Sequence, residues 1–282
     1  MNKKKIIIHF LIAAMMLLAS GCGKSEKMIL KNLAYDEGAK EARVYIKENE
    51  VFVPYLVLTS DYSGDENVLL LREYVLPELR QYEEHGEFWA QDEYGSYYEN
   101  SSIDEFLNTD FLSSLSNEVK ENIVDSEIEV TDKESYTEWN YKTHEINRKI
   151  FLLSAVELGI EGLDGSTTAK EGMPLDYFYE AEYVTKVAAM EQGTSCPYWT
   201  RTPQLWEKCT VVMVGVEAVG SSTADICAGV RPAFCLSGQT TVKESSEVIE
   251  GECVYIIDLN DPPKMVHCST FDLIIHHGVI SK

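Results

Sequence analysis

The chain has 282 residues, 45% of them hydrophobic and sixteen of them tyrosine, which suits one large packed domain and is too apolar for general disorder. Its 47 acidic residues outweigh 24 basic ones, a net charge of −23. A surface of that sign repels nucleic acid, whose phosphates require clustered Lys and Arg, so nucleic-acid recognition is excluded. Two readings of the charge remain: solubility beside a membrane, or attraction of cations or a basic partner.

Met1-Asn2-Lys3-Lys4-Lys5 is a short positive head, and an apolar run from Ile6 to Leu18 follows, broken only by His9. The run then gives way to Ala19-Ser20-Gly21-Cys22. A basic head, a hydrophobic centre and a small-residue exit are the parts of a secretory signal. The run falls short of the ~20 apolar residues a spanning helix needs, and no other stretch reaches that length. The exit resembles the lipobox of bacterial lipoproteins. That resemblance implies that residues 1–21 are removed as a signal peptide and that Cys22 receives a diacylglyceryl group. Acyl chains there, each buried CH₂ contributing ~0.8 kcal/mol, would hold the protein to a bilayer. The expected location is extracytoplasmic, lipid-anchored to the cell membrane or outer membrane. The competing reading is a cysteine discarded with the signal. Cleavage would remove three basic residues and no acidic ones, leaving 21 against 47, a net −26.

Residues 22–40 read as a polar tether, with a short helix near Met28–Leu33. The folded domain is expected over 41–236. Ala42–Ile46 alternates apolar and polar residues, as an outer strand does, whereas Val51–Leu58 is nearly continuous and predicts a buried one. Asp61–Asp65 is a turn by composition, and Val68–Leu71 resumes a buried strand. Ser102 and Glu105 have capping-box spacing, and Ile103, Phe106 and Leu107 form one apolar stripe. Phe111, Leu112, Leu115, Val119 and Ile123 extend that spacing into a second short helix. Ile128–Thr131 predicts an exposed strand before a polar loop at 132–140. Lys149–Ser154 predicts a buried strand, with Ser154 and Glu157 again at capping-box spacing. A loop is expected at 162–172 and a helix over Tyr177–Met190. Val211–Val214, Gly229–Phe234, Val254–Ile257 and Phe271–Ile275 predict further strands. The expected class is α+β, two short helices and irregular loops against a mostly antiparallel sheet.

Beyond Cys22 the chain holds six cysteines, at 196, 209, 227, 235, 253 and 268. An even number in an exported chain predicts up to three disulfides, with fifteen possible pairings. Buried thiols used as small core residues are the alternative. The spacings match no zinc site.

Five segments in this order resemble an uncharacterised bacterial domain family, DUF6273. They are Val68–Leu71; Ile103–Asn108 with Phe111; Lys149–Ser154; Tyr198–Pro203; and Gly229–Ala233. The resemblance spans about Val51 to Leu236 and implies a C-type-lectin-like fold, in which a tryptophan-bearing strand and a closing Gly-x-Arg strand are core features. It leaves 237–282 as a C-terminal β extension, a hairpin clamped by Cys253 and Cys268. It implies a fold and no activity, because function resides in sites that folds carry.

Trp199, Arg201 and Arg231 are the candidate ligand-binding residues. Each arginine sits beside apolar residues and a proline. A guanidinium with five fixed donors either locks a loop to the core or contacts an anionic ligand, with Trp199 as a stacking platform. Trp206, Tyr198 and Tyr177–Tyr179 extend a possible sugar-binding surface, for which ordinary packing is the alternative. Glu87–Tyr94 is a second aromatic cluster. Asp61, Ser63, Asp65 and Asn67 alternate like a calcium loop, but Glu66 replaces its glycine and Arg72 its closing glutamate. That excludes an EF-hand and leaves only a looser calcium site open. Signatures of serine hydrolases, zinc peptidases and nucleotide-binding enzymes are absent. The sequence therefore predicts no catalytic residue, no metal ligand and no cofactor. It points to a binding or structural module recognising a glycan or an envelope protein. An extracytoplasmic enzyme acting on a glycan or peptide is the alternative.

Overall fold

Apolar runs bounded by turns dominate the first part of the domain, and they become neighbouring strands of one sheet. The computed structural model describes residues 28–36, 42–84, 96–133, 142–160, 169–179, 181–204, 209–249 and 252–257. The signal segment, Cys22, the aromatic cluster 87–94, Trp206, Cys268 and Phe271–Ile275 lie outside the described residues.

The strands are β1 (Arg43–Glu48), β2 (Val51–Thr59), β3 (Asn67–Arg72), β4 (Arg80–Gln81), β5 (Ile123–Val124), β6 (Ser126–Thr131), β7 (Thr143–Arg148) and β8 (Ile150–Phe151). They continue with β9 (Tyr198–Pro203), β10 (Thr210–Val214), β11 (Val219–Thr223), β12 (Cys227–Ala228), β13 (Ala233–Ser237), β14 (Lys243–Ile249) and β15 (Glu252–Ile256). The main sheet runs β14-β15-β1-β2-β3-β13-β5, with β8 also paired to β13. Within it β1 and β15 are parallel and the other pairs antiparallel. A separate sheet β11-β10-β9 and the ribbons β4–β12 and β6–β7 complete the strand set. The α+β, mostly antiparallel class is the one observed.

Strand β1 departs from its expected outer position. It lies between β15 and β2, and five of its six residues are buried. Its polar members are accommodated by partners: Glu48 accepts from Arg72 and Tyr55, and the Lys47 ammonium lies 5.9 Å from the Phe52 ring centre. Strand β7 has one buried residue, Ile146, so its polar sequence gave no strand signal; pairing with β6 fixes it.

The first helix is capped by Ser101, whose hydroxyl accepts from the Asp104 amide at 3.3 Å. Ser102, the expected cap, instead donates to Glu83 at 2.6 Å. The helix Ser102–Phe106 passes into a π-turn, Leu107–Phe111, before Leu112–Ser114. There the Asn108 side chain donates to Ile150 O at 2.9 Å and accepts from Ile150 N at 3.1 Å, clamping the widened turn to β8. Ser116 caps the second helix, Asn117–Asn122. The helix expected over Tyr177–Met190 shortens to Tyr183–Lys186. The β-branched Val184, Thr185 and Val187 account for its weakness.

The polar tether ends earlier than its composition suggests. Leu30 is fully buried within the short 3₁₀ turn Leu30–Leu33. Main-chain bonds from Leu30 N to Thr240 O (2.8 Å), Lys31 N to Gly238 O (3.1 Å) and Val242 N to Met28 O (3.0 Å) strap this segment to the loop after β13. The C-terminal extension does begin as a hairpin, β14–β15, which adds to the main sheet through β1.

Candidate functional site

Arg201 is the centre of the strongest polar constellation in the described residues. It lies on β9 with no exposed surface, and its Nη1 and Nη2 donate to the two oxygens of Glu157 at 2.6 and 2.9 Å. Its remaining donors reach Glu129 O and Leu152 O, both at 2.9 Å. Glu157 also accepts from the Tyr62 hydroxyl (2.6 Å) and the Ser154 amide (2.9 Å), while Ser154 Oγ accepts from Glu157 N. The capping-box spacing read in the sequence is thus real, but it closes a turn that holds a carboxylate over β9. Burial opposes the charge on Arg201, but Glu157, followed by Tyr62 and Glu171, outweighs it, so its pKa is raised. A bidentate fork saturated from every side is a tie between elements.

Glu171 is a second enclosed carboxylate beside Arg201. It accepts from the Thr131 amide (2.7 Å), the Thr131 hydroxyl (2.6 Å) and the Thr202 hydroxyl (2.5 Å), joining β6 to β9. Burial raises its pKa, with Arg201 and the threonine donors pulling the other way. A carboxyl whose folded pKa exceeds its unfolded value stabilises the fold at low pH and loses that contribution as pH climbs through the folded value. Wild-type protein should therefore lose stability relative to Glu171→Gln as pH rises from about 4.5 through the raised pKa. Urea midpoints of both proteins across that window measure the difference, and parallel curves would disprove it.

Trp199 and Arg231 are buried with equal completeness. Trp199 is 1% exposed, packs edge-on against Tyr82 and donates from Nε1 to Arg80 O at 2.9 Å. Arg231 is 3% exposed, donates to Arg72 O at 2.8 Å and lies 5.5 Å from the Tyr198 ring centre. The glycine of the Gly229-Val230-Arg231 segment has a steric cause. A Cβ at Gly229 would meet Pro197 O and a Val75 methyl, each at 2.9 Å. The backbones need that approach: Gly229 N bonds Pro197 O, and Trp199 N bonds Gly229 O. All three of Trp199, Arg201 and Arg231 are buried within the domain.

A further ion-pair group went unread in the sequence. Arg72 is buried and donates to Glu48 (3.0 Å), Glu191 (2.8 Å), Tyr74 O and Val75 O. These partners are separated by up to 119 positions, so no local pattern announces them.

The cysteines correct the expectation of an oxidised framework. Cys196, Cys227 and Cys235 are thiols, and no disulfide forms among the described residues. Cys235 is enclosed on β13, its thiol pKa pushed to about 12 by burial, whereas Cys227 faces solvent on β12. The Asp61–Asn67 turn is committed internally: Asp61 accepts from Glu66 N at 3.2 Å, and Glu66 pairs with Lys31. Among the described residues no group of three His, Cys, Asp or Glu converges for a metal.

Surface chemistry lies elsewhere. Met173, Tyr179 and Val184 are 79%, 55% and 68% exposed on one segment, and Val216 is 45% exposed on a neighbouring turn. The Tyr183 hydroxyl donates to Gly215 O at 2.9 Å and joins the two. Of this set only Tyr179 stood out in the sequence, as part of an aromatic run; Met173, Val184 and Val216 did not, because exposed and buried apolar residues read alike once a helix fails to form.

The described molecule is thus an α+β domain with buried ion pairs that tie its strands together and exposed apolar side chains at Met173, Tyr179, Val184 and Val216. The chain belongs to the family described as "Domain of unknown function (DUF6273)", whose model matches residues 65–238. That match begins inside the β2–β3 turn and ends after β13, so β1, β2, β14 and β15 extend the family's part of the sheet. No curated protein and no solved structure matches the chain.

Proposed function

We propose that the protein is an extracytoplasmic module, anchored to a bacterial membrane through acylated Cys22, whose folded domain binds an envelope protein. The exposed set Met173, Tyr179, Val184 and Val216 carries the binding half of this reading. Exposed large apolar side chains, here bridged from Val184 to Val216 by the Tyr183–Gly215 bond, mark a candidate interaction site, and aliphatic and thioether groups suit a protein partner better than a glycan. The basic head, apolar run and Cys22 supply the anchoring half. A binding or structural role is preferred to an enzymatic one because the main carboxylate–guanidinium constellation, Glu157 with Arg201, is consumed in holding strands together. A C-type-lectin-like relationship belongs to the same proposal, supported by the buried Trp199 on β9 and the Gly229-Val230-Arg231 segment closed against it.

Cross-linking in intact envelopes, followed by affinity capture, tests the reading. Met173→Ser with Val184→Ser should weaken capture of the principal partner by about tenfold, the scale of one lost apolar contact region, without lowering stability. Undiminished capture would remove the basis for this surface. A glycan-array ligand unaffected by the double variant would replace the protein partner with a sugar.

A further inference from the structure

Resting on the Cys22 anchor proposed above, we infer that the domain stands on the membrane by one end, with the β2–β3 turn and the loop after β13 facing the bilayer. Met28, the first described residue, lies six residues beyond Cys22. Six residues fully extended span at most about 20 Å, so Met28 lies within that distance of the acylated cysteine. Met28 has a fixed place on the domain. Its carbonyl accepts from Val242 N, Leu30 N donates to Thr240 O, and Lys31 N donates to Gly238 O. Gly238 N in turn donates to Glu66 O, so the 238–242 loop and the 61–67 turn form one end. Strand β2 runs from the opposite end, at the Asn49-Glu50 turn, to this one over nine residues, roughly 27 Å. The far end also includes Ser114, whose carbonyl accepts from Asn49 N at 2.8 Å.

Electrostatics selects the upright arrangement from among those a short tether permits. The chain from Cys22 onward carries a net −26 (21 basic and 47 acidic residues), and anionic headgroups repel it. Between Cys22 and Met28 the sequence carries two lysines, Lys24 and Lys27, and anionic lipid attracts such cations. A body repelled by the surface but held at one end extends away from it. The partner of the near end is therefore the headgroup layer, and the far end is presented outward.

Energy transfer to a headgroup-labelled lipid tests this on the acylated full-length protein in vesicles containing anionic lipid. A fluorescent non-natural amino acid is placed at Gln239 or at Ser113, both exposed positions at opposite ends. Transfer should be at least about twofold greater from 239 than from 113, given their separation along β2. Inserting a flexible Gly/Ser segment of about 20 residues between Lys27 and Met28 should erase the difference. Equal transfer, a reversed order, or a difference that survives the insertion would overturn the orientation. The mass of the Cys22 peptide from the same sample separates the two readings. Acylation with equal transfer defeats the orientation alone, and absence of acylation defeats the anchor and the orientation with it.

Discussion

Arg201→Met is expected to destabilise the domain by about 3–5 kcal/mol, because it leaves Glu157 charged and unpaired in the interior. Glu157 is 2% exposed, and Arg201 supplies its only cationic donors among the described residues. Tyr62 and the Ser154 amide would remain, so the carboxylate would keep two hydrogen bonds and lose its counter-charge. The substitution also frees Glu129 O and Leu152 O, whose bonds to the guanidinium tie β6 and the segment after β8 to β9. The pair is coupled, so the effects should not add. Arg201→Met with Glu157→Leu removes both charges, and it should recover a large part of the loss, as buried ion pairs replaced by apolar residues generally do. Urea denaturation of the two single variants and the double variant measures the coupling. A double variant as unstable as the sum of the singles would show that the two side chains act independently.

Trp199→Ala should cost a similar amount, about 3–5 kcal/mol, for a different reason. The indole is among the largest fully buried side chains and touches Tyr82 with ring centres 5.6 Å apart. Its removal opens a cavity between β9 and the short β4 ribbon, which the backbone contacts at Gly229 prevent from closing. Trp199→Phe refills most of the volume but strands Arg80 O, which the indole N–H now satisfies, and should cost about 1–3 kcal/mol. Thermal melts rank the three proteins. A ranking in which phenylalanine is no better than alanine would mean that the hydrogen bond, rather than the packing, dominates.

These two side chains also show what sequence reading reaches and where it stops. The positions of Trp199, Arg201 and Arg231 drew notice because polar or bulky groups stand there among apolar neighbours, and the structure does make them centres of interaction. Their partners were illegible: Glu157, Glu129 and Leu152 lie 44 to 72 positions away from Arg201, and only the fold brings them together. The continuous apolar strands β2, β3 and β10 were legible, because burial on both faces leaves an unbroken hydrophobic run. Polar strands β7 and β11 were not, since pairing rather than side-chain burial defines them. Ser154 and Glu157 illustrate the middle case. Their spacing correctly foretold reciprocal bonds, yet the structure uses those bonds to seat a carboxylate under Arg201 instead of starting a helix. The cysteine count misled because composition cannot say which faces of strands the thiols occupy.

Anchorage is tested most directly by the mass of the first peptide of the protein isolated from membranes of cells that make it. A peptide beginning at Cys22 and carrying a thioether-linked diacylglyceryl group is the predicted result. A peptide that retains Met1, or one that begins at or beyond Cys22 without lipid, would contradict it.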